Sequence, residues 1–273
     1  MNEVSSYSVL MSVYKNDNAM FFKEAINSIL NQTVKSDDIV LVVDGPIEGT
    51  LLQNVKSIDK EKKEVKIVWL PENIGLGNAL AEGMKHVKHD LVARMDSDDI
   101  SVPSRMETQL NMFETNPKLD IASSQIAEFE NDINKVLTYR KLPTEHFEII
   151  KFAHRYSPFN HPAVMMKKSI YNKAGGYQDW PRNEDYYLWA RMINSGAITA
   201  NSSENLLFYR IDTGNLKRKT NWIQAKYSIK LHWFFWKKMN FGTFLDAVLL
   251  TIIHLMVFLM PRVVFKWMYL NLR

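Results

Sequence analysis

Three aspartates lie within four residues near the middle of the chain, in the segment Arg-Met-Asp-Ser-Asp-Asp at 94–99. They follow a short apolar run that is typical of a buried strand. Carboxylates this close repel one another, so keeping them ionised requires a cation or solvent nearby. Hard oxygen ligands of this kind suit Mg²⁺ or Mn²⁺, usually together with a substrate's phosphates. Asp96, Asp98 and Asp99 therefore indicate a site for a metal ion and a diphosphate.

Two other interpretations of this segment need to be weighed. An EF-hand loop starting at Asp96 would place a ligand at Glu107, as that loop requires at its twelfth position. However, Ile100 occupies one ligand position, and Ser101 stands where the loop needs a glycine. We therefore reject the EF-hand, whereas a solvated turn remains an alternative on the local sequence alone.

A second acidic pair, Glu184 and Asp185, opens a segment with helical spacing of apolar residues. Acidic residues in the first turn of a helix often serve only to stabilise its N-terminus. The local sequence therefore leaves helix capping and chemistry equally open for this pair.

The composition is that of an ordinary folded protein. The 273 residues are 46% hydrophobic and 23% charged, enough to form one large domain or one domain with an appendage. The lack of cysteine excludes disulfides, zinc–thiolate sites and cysteine nucleophiles. The first six residues do not combine a basic region with an apolar run, so no signal peptide is predicted.

Charge is unevenly distributed along the chain. Residues 213–273 hold ten lysines and arginines against one acid, Asp246, although the whole chain carries a net charge of only +4. This segment alternates aromatic residues with lysines over 222–238 and becomes almost entirely apolar over 247–260. Such a pattern is typical of an interfacial helix, and it favours an anionic membrane surface over nucleic acid as a partner.

The apolar run 247–260 is short for a membrane span. A helix of that length covers about 21 Å, less than the roughly 30 Å of a hydrocarbon core. Extending it back to Phe241 would include Gly242 and Asp246. We therefore favour a segment that lies on or re-enters the membrane over one that spans it. A helix packed on the protein's own core remains the alternative.

Buried strands alternate with helices in the first hundred residues. Strands are predicted at 7–14, 39–43, 65–70 and 91–95, helices at 18–30 and about 77–88, and, further on, a strand at 121–129 and a short helix at 144–153. This alternation is typical of a doubly wound, mostly parallel α/β sheet, in which ligands bind at the carboxyl ends of the strands. Asp44 and Asp96 both follow strand ends, so one crevice is expected to hold both.

Five segments in this order resemble the inverting family 2 glycosyltransferases with the GT-A fold, particularly bacterial enzymes of surface-polysaccharide assembly (O-antigen, capsule or exopolysaccharide). The matching segments are the opening strand 8–14, the turn 42–46, the Asn-x-Gly segment 72–80, the DxD metal motif 96–99, and the acceptor-side segment 174–177 followed by Glu184 and Asp185. Each segment alone is a weak signal, but five in order form a strong one. The resemblance implies a GT-A domain over 1–215 and leaves 216–273 as a helical, membrane-associating tail.

The chain departs from the family pattern at three places. The usual Asp-Asp of the turn is Val43-Asp44 here, which leaves one carboxylate for the uracil, and the turn ends in Pro46 instead of serine. Asp212 stands where the family often has a histidine, which puts the pyrophosphate contacts in doubt. The Gln-x-x-Arg-Trp motif of processive synthases is absent, which implies that one sugar is added per encounter.

The resemblance also implies roles for individual residues. Asp98, with Asp96, would hold Mn²⁺ or Mg²⁺, and Asp185 would be the base that deprotonates the acceptor hydroxyl. The residues expected to contact the nucleotide-sugar are Val13, Tyr14, Asp44, Asn73, Arg94, Asp96, Ser97 and Arg210. Those expected on the acceptor side are His161, Gly176, Glu184 and Trp189. A surface ion pair for either arginine, and a structural role for His161 or Trp189, are the alternatives.

Together these roles predict inverting, non-processive, metal-dependent transfer of a hexose or N-acetylhexosamine from a UDP-sugar, with a β-linked product. The basic tail favours a lipid-linked acceptor, such as an undecaprenyl-diphosphate saccharide, and a peripheral position at the cytoplasmic face of the cell membrane. A sugar-1-phosphate nucleotidyltransferase is one alternative, although the loop after the first strand, 15–18, lacks the glycines those enzymes use. A non-catalytic membrane-binding module on the same fold is the other.

Overall fold

A nine-stranded mixed sheet runs through the part of the chain that the computed structural model describes, residues 6–211 and 220–271. Its strands are β1 (Tyr7–Val13), β2 (Asp38–Val43), β3 (Val65–Trp69), β4 (Leu91–Met95), β5 (Ile100–Ser101), β6 (Ile121–Phe129), β7 (Thr138–Arg140), β8 (Met165–Lys167) and β9 (Thr199–Arg210). They lie in the order β3-β2-β1-β4-β8-β6-β9-β5, and β7 pairs with β6. The sheet therefore joins the first half of the described chain to the second along one continuous surface.

Helices flank this sheet and extend from it at the C-terminal end. They are α1 (Ala19–Leu30), α2 (Gly49–Glu61), α3 (Leu76–Met84), α4 (Arg105–Thr115), α5 (His146–Ala153), α6 (Lys168–Lys173), α7 (Glu184–Asn194), α8 (Trp222–Phe234), α9 (Phe244–Leu259) and α10 (Arg262–Asn271). A 3₁₀ turn covers His161–Ala163, and a π-helical turn, Phe235–Met239, follows α8.

The first four strands form the parallel part of the sheet. β1 pairs in parallel with β2 and β4, and β2 pairs in parallel with β3. β1 and β2 are buried over nearly their whole length, as expected for apolar, β-branched strands that helices cover on both faces. The carboxyl ends of β1, β2 and β4 therefore meet at one edge, as the sequence predicted.

The second half of the sheet is mixed. β8 runs antiparallel to β4 and to β6, whereas β6 and β9 run parallel to each other. This arrangement is the α/β sheet of a GT-A fold, so the predicted fold class is confirmed. Helices α2 and α4 were not predicted from the sequence. In α2, Leu51 and Val55 are the buried residues, and most of the other residues of this helix are polar, so its apolar face is narrow.

Helix α1 fixes the loop that follows β1. The side chain of Asn18 caps this helix by accepting the backbone N–H groups of Met20 and Phe21 at 2.8 and 3.2 Å. One face of the helix, which includes Phe22 and Ile26, is buried in the core beneath the sheet. The loop 14–18 is consequently held at the edge where the parallel strands end.

The C-terminal helices pack on the rest of the protein through one face. Helix α8 and the turn after it bury Leu231 and Phe235 against Tyr186 of α7. Helix α9 packs on α8, where Trp233 Nε1 donates to Thr251 Oγ1 at 3.0 Å. Within the described ranges, none of the helices combines the length and apolarity needed to cross a bilayer.

The other face of α9 is apolar and exposed. Its exposed apolar residues include Leu245, Leu249, Ile252, Met256 and Leu259. The predicted apolar helix thus has one side packed on the protein and one side uncovered. The predicted domain boundary at 215/216 and the departure at Asp212 both lie outside the described residues.

Candidate active site

A cleft of about 1230 Å³ lies at the carboxyl ends of β1, β2 and β4 and continues to helices α7, α8 and α9. The predicted site residues that line it are Val13, Tyr14, Asp44, Asn73, Arg94, Asp96, Ser97, Asp98, His161, Glu184, Asp185 and Arg210. The fold therefore gathers most of the predicted donor-side and acceptor-side residues around one space.

Two predicted residues, Gly176 and Trp189, are not among the described residues that line the cleft. Trp189 is fully buried, with its ring packed edge-on against Phe159 and His161 at centroid distances of 5.5 and 5.8 Å. The carbonyl of Gly176 accepts a hydrogen bond from Arg191 Nη2 at 2.6 Å. Both residues support the wall of the cleft from behind, with Trp189 contacting His161 directly.

The aspartate triplet after β4 brings three carboxylates together. Asp96, Asp98 and Asp99 each offer an oxygen, and these oxygens lie within 4.8 Å of one another. Asp99 is fully buried and accepts the backbone N–H of Arg210 at 2.8 Å, while its second oxygen has no partner in the described structure. Hard donors at this spacing fit a divalent cation such as Mg²⁺ or Mn²⁺.

The electrostatics of the triplet show how costly it is without a cation. Burial, with the charges of Asp96 and Asp17, raises the pKa of Asp98 to about 7. Burial and the two neighbouring carboxylates raise the pKa of Asp99 well above its ordinary value. A bound cation would favour the ionised forms, so the cluster is built to be completed by positive charge.

Asp17 is a site residue that the sequence analysis missed. Its carboxylate accepts Ser97 Oγ at 2.8 Å and the backbone N–H of Tyr14 at 3.1 Å, and it lines the cleft. Burial raises its pKa to about 6. Eighty residues separate Asp17 from Ser97, so only the β1–β4 pairing brings them together. Its position just after a strand end, like that of Asp44, was the signal available.

Arg94 lies buried beside the triplet. It is 1% exposed and forms an ion pair with Asp96, whereas its Nε and Nη1 have no partner among the described residues. Burial opposes its charge, but the carboxylates, Asp96 foremost, raise its pKa above the ordinary value. The surface ion pair considered for Arg94 therefore does not describe it, since the side chain is inside the protein.

Arg210, at the end of β9, connects three parts of the donor side. Its Nε donates to the carbonyl of Asp98 at 2.8 Å, and its Nη2 donates to Glu24 at 2.6 Å. The guanidinium also lies over the ring of Phe21, 3.9 Å from the centroid. These contacts fix the DxD loop against α1.

Asp44 links the turn after β2 to the Asn-x-Gly segment. Its carboxylate accepts the backbone N–H of Ile74 at 2.8 Å and the side-chain amide of Asn73 at 2.8 Å. Gly45 has a φ of +84°, and a Cβ there would lie 2.6 Å from the backbone nitrogen of Asn73. A glycine is therefore required for the two segments to pack this closely.

Glu184 and Asp185 begin α7 and line the cleft, close to the first turn of α3. Burial and the charge of Asp185 raise the pKa of Glu184 to about 7, and burial raises the pKa of Asp185. No ion pair joins either carboxylate to a cation within 6–211 and 220–271. A Cβ at Gly77 in α3 would lie 3.2 Å from Glu184 Cβ, so this glycine makes room for the pair.

His161 lines the same cleft as the aspartates after β4 and the pair Glu184 and Asp185. Its Nε2 lies 2.7 Å from the hydroxyl of Tyr177. Burial, with a smaller contribution from the positive charge of Arg94, lowers the pKa of His161 well below its ordinary value. The ring is therefore neutral at physiological pH and can serve as a hydrogen-bonding group, not as a cation.

The C-terminal helices also contribute to the cleft, which the sequence analysis did not anticipate. The residues from α8 and α9 that line it are Gln224, Ser228, His232, Ile253, His254 and Val257. The sequence predicts membrane contact for these segments, with packing on the protein's own core as the alternative for 247–260, but it does not place them in the site. No spacing rule could have placed them beside Asp185, since α8 reaches α7 only through tertiary packing.

The mixed sheet, with acidic residues from its strand ends and from α7 gathered in one cleft, is the arrangement of a glycosyltransferase with the GT-A fold. The chain belongs to glycosyl transferase family 2, whose model matches residues 8–175. The predicted family and the predicted glycosyltransferase class are thereby confirmed.

Relatives agree over most of the chain. An uncharacterized glycosyltransferase of Haemophilus influenzae is 42% identical over 81% of this chain and 81% of its own. The amylovoran biosynthesis glycosyltransferase AmsE of Erwinia amylovora is 32% identical, covering 96% of this chain and 97% of its own. A UDP-Gal:alpha-D-GlcNAc-diphosphoundecaprenol beta-1,3-galactosyltransferase of Escherichia coli is 33% identical, covering 95% and 94%.

Solved structures share the fold at low sequence identity. The mannosyltransferase PcManGT of Pyrobaculum calidifontis, in complex with GDP-Man and Mn²⁺, matches with a TM-score of 0.68 at 14% identity, covering 94% of this chain and 70% of that one. Residues 1–349 of S. aureus TarS, in complex with UDP-GlcNAc, match with a TM-score of 0.64 at 14% identity, covering 83% and 65%.

Proposed function

We propose that this protein transfers one hexose or N-acetylhexosamine at a time from a UDP-sugar to a hydroxyl of a lipid-linked saccharide, with inversion and dependence on a divalent metal. The observation that carries the proposal is that Asp98 and Asp185 line the same cleft, one at the strand ends and the other at the start of α7. Chemistry that separates a diphosphate from a sugar while deprotonating an acceptor needs both groups.

The donor end of the cleft would hold the UDP-sugar. Asp98 and Asp96 would hold Mn²⁺ or Mg²⁺, which when bound supplies positive charge that neutralises the leaving diphosphate. The nitrogens of Arg94 that have no partner in the described chain are suited to a phosphate oxygen or to orienting Asp96. The hydrogen bond from the side-chain amide of Asn73 to the Asp44 carboxylate joins two loops of the cleft. This contact supports a uracil site formed by those loops.

The acceptor end would perform the proton transfer. Asp185 would accept the proton of the acceptor hydroxyl, a role worth about 10²–10⁴-fold in rate. A base on the face opposite the leaving diphosphate permits direct displacement, so an α-linked donor would give a β-linked product. The raised pKa of Asp185 makes its carboxylate a stronger base than an ordinary aspartate.

The C-terminal helices and the name of a relative support the proposal of a lipid-linked acceptor. The C-terminal helices carry lysines and an exposed apolar face, a combination that suits an anionic membrane surface. The E. coli relative is named for a diphosphoundecaprenol acceptor, and AmsE for amylovoran biosynthesis. These observations support the proposal that the protein acts in surface-polysaccharide biosynthesis, peripherally at the cytoplasmic face of the cell membrane.

A panel of UDP-sugars tests this proposal. The purified protein is incubated with each donor and Mn²⁺, and the released UDP is measured with and without a GlcNAc-diphospholipid acceptor. We expect metal-dependent UDP release with one or a few donors, increased by the acceptor. Pyrophosphate release from UTP and a sugar phosphate would instead identify a nucleotidyltransferase. A complete lack of turnover with every donor would favour a non-catalytic binding module.

A further inference from the structure

We infer that the end of the cleft formed by α8 and α9 is a subsite for the lipid-diphosphate part of the acceptor, with the stacked pair His232 and His254 donating hydrogen bonds to the diphosphate. This inference rests on the proposed function and assigns a part of the same cleft. The proposed ligand is a saccharide carried on a polyprenyl diphosphate.

The α8–α9 end is continuous with the acidic pair. Gln224 Nε2 and Ser228 Oγ, both on α8, lie 3.4 and 3.5 Å from Asn183 Oδ1, and Asn183 immediately precedes Glu184. The ring of Tyr186, the residue after Asp185, packs edge-on against His232 with centroids 5.8 Å apart. A ligand whose reacting hydroxyl meets Asp185 would therefore extend its next groups along α8.

The two histidines form an unusual polar pair in this wall. The rings of His232 and His254 stack with centroids 5.6 Å apart and an interplanar angle of 20°. His254 Nε2 is buried and has no hydrogen-bond partner among the residues described. A buried polar nitrogen without a partner is costly, so a ligand that accepts a hydrogen bond there gains that free energy on binding.

The charge state of the pair suits a hydrogen-bond donor. Burial and the neighbouring ring lower the pKa of His232 to about 3, and burial lowers that of His254. Neutral imidazoles each keep one N–H, and an anion held there would also favour their protonation. Arg155, half exposed at the same end of the cleft, adds a guanidinium beside its partner Asp246.

An apolar surface begins where this polar group ends. Ile253 and Val257 of α9 line the cleft beside His254. Leu249 and Met256 lie four residues before and three residues after Ile253, so they flank it on the helix surface, and they are 43% and 54% exposed. A ligand with an anionic head and a long apolar chain fits this sequence of surfaces better than a free oligosaccharide does.

The basic character of the same helices agrees with an anionic occupant. Lys226 and Lys230 lie on α8, and Lys237 and Lys238 lie in the turn after it. Asp246 is the one acidic residue of α8, α9 and α10, and it is held in a capping box with Thr243 and in an ion pair with Arg155. The helices therefore present a positive field to an approaching diphospholipid.

Farnesyl diphosphate is the probe for this subsite, because it carries the diphosphate and a polyprenyl chain but no sugar. Its binding to the whole protein is followed by tryptophan fluorescence, with UDP and Mn²⁺ present at saturation to fill the donor end. The ring of Trp222 lies against Phe258 of α9 at an interplanar angle of 55°, with centroids 5.4 Å apart, so it reports on this region. We expect saturable binding that farnesol and inorganic diphosphate each reproduce only at much higher concentration.

The His254→Phe variant keeps the ring stack but removes the nitrogen. It should weaken farnesyl diphosphate binding about tenfold, and His254→Gln, which restores an N–H donor, should recover part of the loss. In turnover, His254→Phe should raise the KM for the lipid-diphosphate acceptor while the KM for the UDP-sugar stays within about twofold of wild type. His86→Phe, on the surface at the end of α3, is the matched control and should behave as wild type.

Met256→Glu provides a second variant, because an exposed position tolerates the change without loss of folding. It should weaken farnesyl diphosphate binding but leave inorganic diphosphate unaffected. Thermal unfolding of each variant confirms that it is folded. Equal binding of farnesyl diphosphate by wild type, His254→Phe and Met256→Glu would overturn the subsite, as would farnesol binding as tightly as farnesyl diphosphate. The proposed function fails separately, through the lack of UDP release from every donor.

Discussion

The two acidic groups of the cleft differ in how the protein balances their charge. The triplet Asp96, Asp98 and Asp99 has Arg94 in an ion pair and receives the backbone N–H of Arg210. The pair Glu184 and Asp185 has no ion-pair partner in the described part of the chain. The pair is instead influenced by charges that do not form an ion pair with it, those of Arg140 and Arg94 on Asp185. This difference fits the roles proposed above, a cation and diphosphate site at the triplet and a proton acceptor in the pair.

Arg94 connects the two groups without neutralising the second one. Its charge acts to lower the pKa of Asp98, of Glu184 and of Asp185. The same positive charge helps to keep His161 neutral. One buried guanidinium therefore acts on both sides of the cleft, although its ion pair is with Asp96 on the donor side.

The largest expected effect comes from the acceptor side. Asp185→Asn should lower kcat by about 10²–10⁴-fold, because the amide keeps the shape of the side chain but cannot accept the proton. The KM for the UDP-sugar should change little, since Asp185 lies away from the donor loops. Steady-state kinetics with varied donor at saturating acceptor measure both. Asp179→Asn, an exposed aspartate on the segment before α7, is the matched control, and equal activity of the two variants would refute the assignment.

Replacing Asp98 on the donor side should change the metal dependence of the reaction, which replacing Asp185 should not. Asp98→Asn should lower kcat/KM by about 10²–10³-fold, comparable with the loss of one preorganised charged group in an active site. Unlike Asp185→Asn, it should also raise the Mn²⁺ concentration needed for half-maximal activity. EDTA should remove the activity of the wild type, and Mn²⁺ should restore it. An unchanged Mn²⁺ dependence in Asp98→Asn would place the metal elsewhere.

The pH dependence of the activity tests the ionisation of Glu184 and Asp185 directly. The pKa of Glu184 is raised to about 7 and that of Asp185 is raised, so the base is ionised at high pH and protonated as the pH falls. Activity should therefore fall as the pH drops through the raised pKa of the base, approaching a tenfold loss per pH unit at the acidic end. In Glu184→Gln the acidic limb should move to lower pH, because the repulsion between the two carboxylates is mutual. An unmoved limb would show that the two groups titrate independently.

The sequence allowed most of the donor side to be predicted because its motifs follow strand ends. The strands 7–14, 39–43 and 91–95 are mostly apolar, and parallel pairing brings their carboxyl ends to one edge. The residues at those ends, Asp44 and Asp96, then share a crevice by necessity. Motif order identified the family, which the comparisons confirm.

The remainder could not be predicted because it depends on packing between distant segments. Asp17 meets Ser97 only when β1 and β4 are paired, and a single aspartate in a loop has no distinctive pattern. His232 and His254 reach the cleft because α8 packs on α7 and α9 packs on α8. Trp189 looked equally suited to stacking on a sugar or to the core, and its full burial is decided by the surrounding side chains.

A smaller effect is expected from the glycine that accommodates the acidic pair. Gly77→Ala places a methyl group 3.2 Å from Glu184 Cβ, so the start of α7 must shift by a few tenths of an ångström. We expect kcat to fall several-fold, because small misplacements of catalytic groups are costly. The melting temperature should stay the same or rise, since alanine stabilises a helix by about 1 kcal/mol relative to glycine. Loss of both activity and stability would instead indicate general disruption.

The raised pKa of Glu184 also predicts how the stability of the protein depends on pH. Because the pKa of Glu184 is raised on folding, the folded protein binds a proton more tightly than the unfolded chain does, and stability falls as pH rises from about 4.5 towards 7. Glu184→Gln removes this loss and should stabilise the protein by about 1–2 kcal/mol at pH 8, with no gain at pH 4. Chemical denaturation at the two pH values measures the difference. A stabilisation equal at both pH values would mean that packing, and not the uncompensated charge, sets the cost of this residue.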